Sequence, residues 1–224
     1  MAKEEKPLKL SPSKLNTFLA CKRCFWLEMH GEAPPQGPFT GVLTILDSMQ
    51  KNYYDRYRKN GLPPLLKGKL KLRLADQKLV DTVRKYLIWN DSKTGDILRG
   101  KMDDCFVDKA GRLVVMDNKT RSGEFKEIYD EYRMQLDTYA FLLQKNGFNV
   151  GKTGYIVYFV PDRKSKIEKG VKFKVDARPV KLRPGRVVRT FREALRTARL
   201  SSPPKRHKDE FCEMCTWFAE VTGL

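Results

Sequence analysis

The 224-residue chain has no apolar run near the ~18–20 residues that a membrane span requires, so no membrane-spanning segment is expected. Its first residues, Met1 to Pro7, lack the apolar stretch of a secretory signal, so an intracellular, cytoplasmic protein is expected. There is no Gly-x-x-x-x-Gly-Lys-Ser/Thr loop, so the chain carries no helicase motor of its own. Internal repeats are absent, and no linker is long enough to force a second domain. One domain over 1–224 is expected. It would comprise a helical cap over about 10–90, a core over about 95–180, and a basic helix with a cysteine tail over about 181–224. Histidine is nearly missing, at two residues. Acids are scarce beside bases: 27 Asp and Glu against 45 Lys and Arg, a formal net charge of +18. The 41% hydrophobic and 11% aromatic content is enough for a real core, which excludes a disordered basic tail. A globular, strongly basic protein remains, and its expected partner is a polyanion. Nucleic acid leads, ahead of an anionic membrane surface.

The charge is concentrated. Residues 163–208 hold 17 Lys and Arg against three acids, Glu168, Asp176 and Glu193. Within that segment Pro184 to Leu200 reads as a helix, with Pro in its first turn and a Ser-Ser-Pro-Pro stop after it. At 100° per residue Val187, Val188, Phe191, Ala194, Leu195 and Ala198 share one arc. Arg186, Arg189, Arg192, Arg196 and Arg199 share the other. A solvated face on a docked helix is the ordinary reading of such an arc. Five arginines shift it towards phosphate contact, because the guanidinium fork suits phosphate oxygens.

Ser11 to Leu27 is predicted helical, with Ser11 as N-cap. Glu32 to Thr40 reads as a Pro- and Gly-rich loop, and helices are predicted over Val42–Asn60 and Asp76–Trp89. Two strands follow, Ile97–Val107 and Arg112–Lys119, joined by the turn at Asp108–Gly111. A long helix over Glu127–Asn146 is closed by Gly147. Gly154–Val160 reads as a buried strand and Val171–Val175 as a short edge strand. The fold class is α/β or α+β, a mixed sheet flanked by helices with a helical cap.

The stretch richest in chemistry is Gly100-Lys-Met-Asp103-Asp104 followed by Leu113-Val-Val-Met-Asp117-Asn-Lys119. Strand side chains alternate faces, so Leu113, Val115, Asp117 and Lys119 share one. The preceding strand can bring Asp103 or Asp104 beside Asp117. Carboxylates held together by apolar strands repel one another and cost desolvation energy. A hard divalent cation relieves both, and Mg²⁺ takes one or two carboxylates plus substrate phosphates and water. Lys119 is placed to hold or polarise an attacking water. The plain alternative is a hairpin whose Asp and Lys pair at a strand end.

These residues resemble the PD-(D/E)xK nuclease superfamily, in particular its RecB-like branch. The resemblance rests on Gly100-x-x-Asp103, on Val114-Val-Met-Asp117-Asn-Lys119-Thr120, and on Gln135-x-x-x-Tyr139 in the next helix. The last pair, four apart, lies on one helix face. The resemblance implies a restriction-endonuclease-like core. Asp103 and Asp117 would ligate Mg²⁺ or Mn²⁺, with the backbone carbonyl of Asn118 completing the protein ligands. Lys119 would activate water, and Gln135 and Tyr139 would position the strand or the metal's surroundings. Asp103 is preferred to Asp104 because it stands third after Gly100. Many RecB-like nucleases add a histidine from an early helix; His30 and His207 sit poorly for that, and Asp47 is the candidate substitute.

Four of the five cysteines form two Cys-x-x-Cys pairs, Cys21 with Cys24 and Cys212 with Cys215. In an intracellular protein this spacing points to metal rather than disulfide, and two pairs make a complete four-thiolate set. Cys105 reads as core. Four thiolates suit tetrahedral Zn²⁺ or a [4Fe–4S] cluster. CRISPR-associated exonucleases and AddB-type helicase-nucleases of the RecB-like branch clamp their chain ends around a [4Fe–4S] cluster. The resemblance therefore favours the cluster. Their usual arrangement is one early and three late cysteines, and the two-plus-two spacing here favours zinc.

The expected function is a Mg²⁺- or Mn²⁺-dependent DNA nuclease acting on single strands or ends, with the basic helix tracking the backbone. The resemblance also implies a helicase or a CRISPR-adaptation partner. The alternative is a non-catalytic nucleic-acid-binding module stabilised by its Cys₄ metal.

Overall fold

The structure is a computed structural model that describes residues 6–32, 40–123, 127–206 and 212–222. Most of the Pro- and Gly-rich loop read over 32–40, and His207, lie outside those residues.

The chain opens with β1 (Lys9–Leu10), α1 (Pro12–Ala20), α2 (Lys22–Met29) and α3 (Thr40–Tyr57). Next come β2 (Arg73–Leu74), α4 (Gln77–Val83), β3 (Leu87–Asn90), β4 (Ile97–Gly100), β5 (Cys105–Val107) and β6 (Leu113–Thr120). The remainder is α5 (Asp130–Lys145), β7 (Thr153–Pro161), β8 (Phe173–Lys181), α6 (Val187–Ala198) and α7 (Glu213–Thr222). A five-stranded mixed sheet runs β2-β5-β6-β7-β8, parallel only between β6 and β7. A three-stranded sheet runs β1-β4-β3.

The expected mixed sheet flanked by helices is what forms. Four elements differ from the sequence reading, each for a local reason. The single helix expected over Ser11–Leu27 breaks at Cys21, whose backbone is extended at φ −159° and ψ 113°. Its sulfur accepts the Cys24 N–H and so caps α2. The helix expected over Asp76–Trp89 stops at Val83 and turns into β3. There Trp89 packs edge-on against Phe141 and Phe191, at 4.9 and 5.6 Å between ring centres. The strand expected over Ile97–Val107 splits into β4 and β5, in different sheets. The Met102 N–H bonds to Val83 and the Cys105 N–H to its neighbour Asp104, which takes this stretch out of both ladders. Gly100, at the end of β4, lets α1 and α5 approach closely: a Cβ there would stand 3.1 Å from Leu142 and 3.2 Å from Pro12. The short strand expected at Val171–Val175 is instead the nine-residue β8, which pairs with all of β7. Pro179 sits within it, tolerated because β8 is an edge.

β6 divides the core. Leu113, Val115, Ile156 and Tyr158 pack towards α5 and α1, with Met134, Leu136, Ala140 and Leu143. Val114, Met116, Val157 and Phe159 pack on the other face with Tyr54 of α3. No helix among the described residues is long and apolar enough to cross a membrane.

Candidate active site

The alternation of β6 carries through to its polar end. Asp117 and Lys119 continue the face that meets α5. Asn118 and Thr120 continue the face that meets α3. On the α5 side, Gln135 joins the pieces. Its Nε2 donates to Asp117 Oδ1 at 3.0 Å and to the Tyr139 hydroxyl at 3.2 Å. Its Oε1 accepts from Lys119 Nζ at 3.1 Å. Lys119 Nζ also lies 2.8 Å from Asp117 Oδ2 and 4.7 Å over the Tyr132 ring. Burial pushes the Tyr139 hydroxyl well up, and the charge of Asp117 adds to it. It is a neutral donor or acceptor here, not a base.

On the other side, α3 presents Asp47, Gln50, Lys51 and Tyr54, which share one helix face. Gln50 Nε2 donates to Thr120 Oγ1 at 2.9 Å and the Tyr54 hydroxyl donates to Asn118 Oδ1 at 2.8 Å. The Asn118 side chain is thereby turned away from Asp117, so its part in a metal site would fall to its backbone carbonyl. Lys51 Nζ bridges Asp47 Oδ2 at 2.7 Å and Asp103 Oδ1 at 2.8 Å. Burial alone would lower the Lys51 ammonium's pKa; the bonds to Asp103 and Asp47 outweigh that and raise it.

Burial holds the Asp117 carboxyl above its usual range, partly offset by Lys119 and reinforced by the charges of Asp103 and Asp47. Its Oδ2, shut off from water, accepts no well-directed hydrogen bond although Lys119 stands near. A buried, under-bonded carboxylate oxygen that feels the charge of two further carboxylates is chemistry that a hard divalent cation relieves, although with Lys51 bridging Asp47 and Asp103 the three carboxylates are not gathered into one cluster here. Asp104 is no part of it. It turns inward to Arg58, which donates to both of its oxygens at 3.1 and 2.6 Å. Asp55 joins that buried network through Arg58 and Arg84.

Sequence reasoning missed Lys51, Gln50 and Tyr54. Their spacing from Asp47 was legible, but nothing local says that this face meets the end of β6. His30 stacks on the Trp26 ring at 3.7 Å between ring centres and lies against the Trp26 carbonyl, away from the carboxylates.

Three of the five arginines of the basic helix are paired within the protein. Arg186 Nε donates to Asp137 at 2.6 Å. Arg192 grips Asp91 with two bonds of 2.7 Å, and Arg199 grips Asp96 at 3.0 and 2.8 Å. All three aspartates are almost fully buried. Buried carboxylates need charged partners, so these arginines are drawn inward. Arg189 and Arg196 are exposed, and so is Arg199 as a residue although its guanidinium is held by Asp96.

The four cysteines of the two pairs converge. Cys24 Sγ lies 3.2 Å from Cys215 and 3.6 Å from Cys212, Cys21 Sγ lies 3.4 Å from Cys215, and all four sulfurs lie within 4.8 Å of one another. Burial pushes the Cys24 thiol well up and Cys215 up to about 11. Burial also acts on Cys212, but the Cys215 N–H and the neighbouring sulfurs outweigh it and lower that thiol. The set fits a thiophilic metal, which would replace this crowding by bonds to thiolates. Cys105 is buried core, its thiol pushed up to about 12 by burial.

No curated protein matches the chain. A solved structure titled "Crystal structure of SSO0001" superposes with a TM-score of 0.51 at 17% identity, covering 89% of this chain and 80% of that one. That likeness concerns the fold. The family model of the PD-(D/E)XK nuclease superfamily matches residues 45–219, from α3 through all the carboxylates to the late cysteine pair. The chain belongs to the PD-(D/E)XK nuclease superfamily.

Proposed function

We propose that the protein is a Mg²⁺- or Mn²⁺-dependent deoxyribonuclease of the RecB-like branch, acting on single-stranded DNA or DNA ends. The observation that carries this reading is the Gln135 amide, which bonds Asp117 and Lys119 at once at the end of β6. Asp103, Asp117 and Asp47 would hold the metal, with the carbonyl of Asn118. When bound, the ion supplies charge stabilisation at the phosphoryl oxygens and a more acidic water. Gln135 keeps Asp117 and Lys119 at a fixed separation. Lys119, held by Gln135 and Tyr132, orients water for in-line attack on the phosphodiester. Tyr139 fixes the Gln135 rotamer from below. Arg189 and Arg196, exposed on α6, and the lysines of 163–181 supply the sequence-independent attraction for the backbone.

At the second site we propose zinc. Zn–S bonds of about 2.3 Å in a tetrahedron set sulfurs about 3.8 Å apart. A four-iron cube spreads its thiolates to roughly 6 Å, because each sulfur caps a different corner. The spacing of 3.2–3.6 Å between the closest sulfurs suits one ion. The role is structural.

Single- and double-stranded DNA, with free or blocked ends, incubated with Mg²⁺ or Mn²⁺ tests the catalytic reading. Wild type cuts, and Asp117→Ala and Lys119→Ala cut at least ~10²-fold more slowly. No cleavage by wild type, or cleavage untouched by both substitutions, overturns it.

A further inference from the structure

Lys51 stands where a shared cation belongs. Its ammonium lies 2.7 Å from Asp47 and 2.8 Å from Asp103, one helical turn after the former and 52 positions before the latter. The site therefore has two ammonium groups for three carboxylates. Lys119 is committed: Asp117, the Gln135 oxygen and the Tyr132 ring hold it on three sides. Lys51 is held differently. Its side chain is 31% exposed, and the two carboxylates it clamps are 42% and 44% exposed. Its four-carbon stem allows the ammonium to swing without moving α3.

The charge count gives that swing a direction. Three carboxylates and two ammoniums leave the metal-free centre at −1. A divalent ion changes it to +1, which one phosphodiester of charge −1 neutralises. This balance holds only if Lys51 stays at the centre after surrendering its partners. We propose that Lys51 is an exchangeable counter-ion: it holds Asp47 and Asp103 together in the metal-free protein, yields them to the divalent cation, and then turns its ammonium to the substrate phosphate. The inference rests on the metal-dependent nuclease reading above, and it makes Lys51 both a brake on metal binding and a contact for substrate.

The test is calorimetric titration of Mn²⁺ into the full-length protein with its thiolate metal in place, comparing wild type with Lys51→Met, Lys51→Arg and Asp117→Asn. Lys51→Met keeps the stem and removes the charge. It is expected to bind Mn²⁺ about fivefold more tightly, the fold-change of loosening one partly exposed ion pair. Its metal-free melting temperature should fall and its gain on adding Mn²⁺ should exceed that of wild type. Lys51→Arg, which keeps the charge, should bind as wild type does and guards against a mere loss of fold. Cleavage by Lys51→Met at saturating Mn²⁺ should be slower despite the tighter binding. Equal or weaker Mn²⁺ binding by Lys51→Met, with Asp117→Asn impaired, overturns the counter-ion role and leaves the nuclease reading standing. No Mn²⁺ binding by wild type, or binding indifferent to Asp117→Asn, overturns both.

Discussion

Between β4 and β5, Asp104 turns inward to Arg58 and Asp103 turns outward to Lys51. The two residues are neighbours of identical chemistry, and their surroundings give them opposite duties. The Arg58 and Asp104 side chains are 3% and 1% exposed. Asp104→Ala would leave the buried guanidinium with Asp55 as its remaining carboxylate and its two bonds to Asp104 unmade, a loss of about 2–3 kcal/mol. Asp103→Ala removes one of three crowded carboxylates at the surface and should change stability by less than about 0.5 kcal/mol while abolishing metal-dependent cleavage. Urea denaturation of both variants, run beside the DNA assay, checks this; losses of equal size would show that both carboxylates are structural. The order Gly100-x-x-Asp103 points to Asp103, but what separates the two aspartates in the structure is not local. Arg58 is 46 residues from Asp104, and only packing of the segment after α3 against β5 brings them together.

For the elements, α6 is the clearest case. Its two arcs were legible, and its apolar arc is indeed buried, with Val187, Phe191, Ala194, Leu195 and Ala198 in the core. The polar arc was readable as positive but not as paired. Asp91 and Asp96 stand 101 and 103 residues before their arginines, on the connection between β3 and β4. They make α6 a clamp across the smaller sheet. The Arg192 hydrogen bonds hold the Asp91 carboxyl below its usual range. Burial would raise Asp96, but Arg199 and the Leu8 N–H outweigh it and lower that carboxyl too. A carboxyl whose folded pKa is depressed contributes stability above its unfolded value, about 3.9, and loses it as pH falls through the folded value. The denaturation midpoint of wild type should therefore fall as the pH drops below the ordinary carboxylate range and through the depressed values of these two groups. Arg192→Met with Arg199→Met should be less stable already at about pH 6 and show a shallower acid drop. An unchanged acid limb in the double variant would mean that these pairs do not set the acid stability.

Across the whole molecule, the cysteines join the two ends of the chain. Cys21 and Cys215 are 194 positions apart, and α2 meets α7 through their sulfurs. Trp26 donates to the Leu200 carbonyl and Arg23 to that of Pro204, so the C-terminal segment is tied to α2 beside the four sulfurs as well. Closing so long a loop constrains the unfolded chain strongly. Cys215→Ser, or removal of the ion by a chelator, should lower the melting temperature by on the order of 5–10 °C and leave the carboxylate centre assembled. Elemental analysis of anaerobically purified protein should find one zinc per chain and no absorbance near ~400 nm; four irons per chain with that absorbance would reinstate the cluster. By itself the sequence determined the helix and strand periods, the carboxylate-lysine strand, the Gln135–Tyr139 face and the two cysteine pairs. Each is a matter of which side chains a local backbone geometry places together. The tertiary structure decided which aspartate faces the centre, which arginines face solvent, that Lys51 bridges Asp47 and Asp103, and how closely four sulfurs stand. Those depend on partners brought from about 50 to 190 positions away, and only the packing of the sheet between α3 and α5 chooses among them.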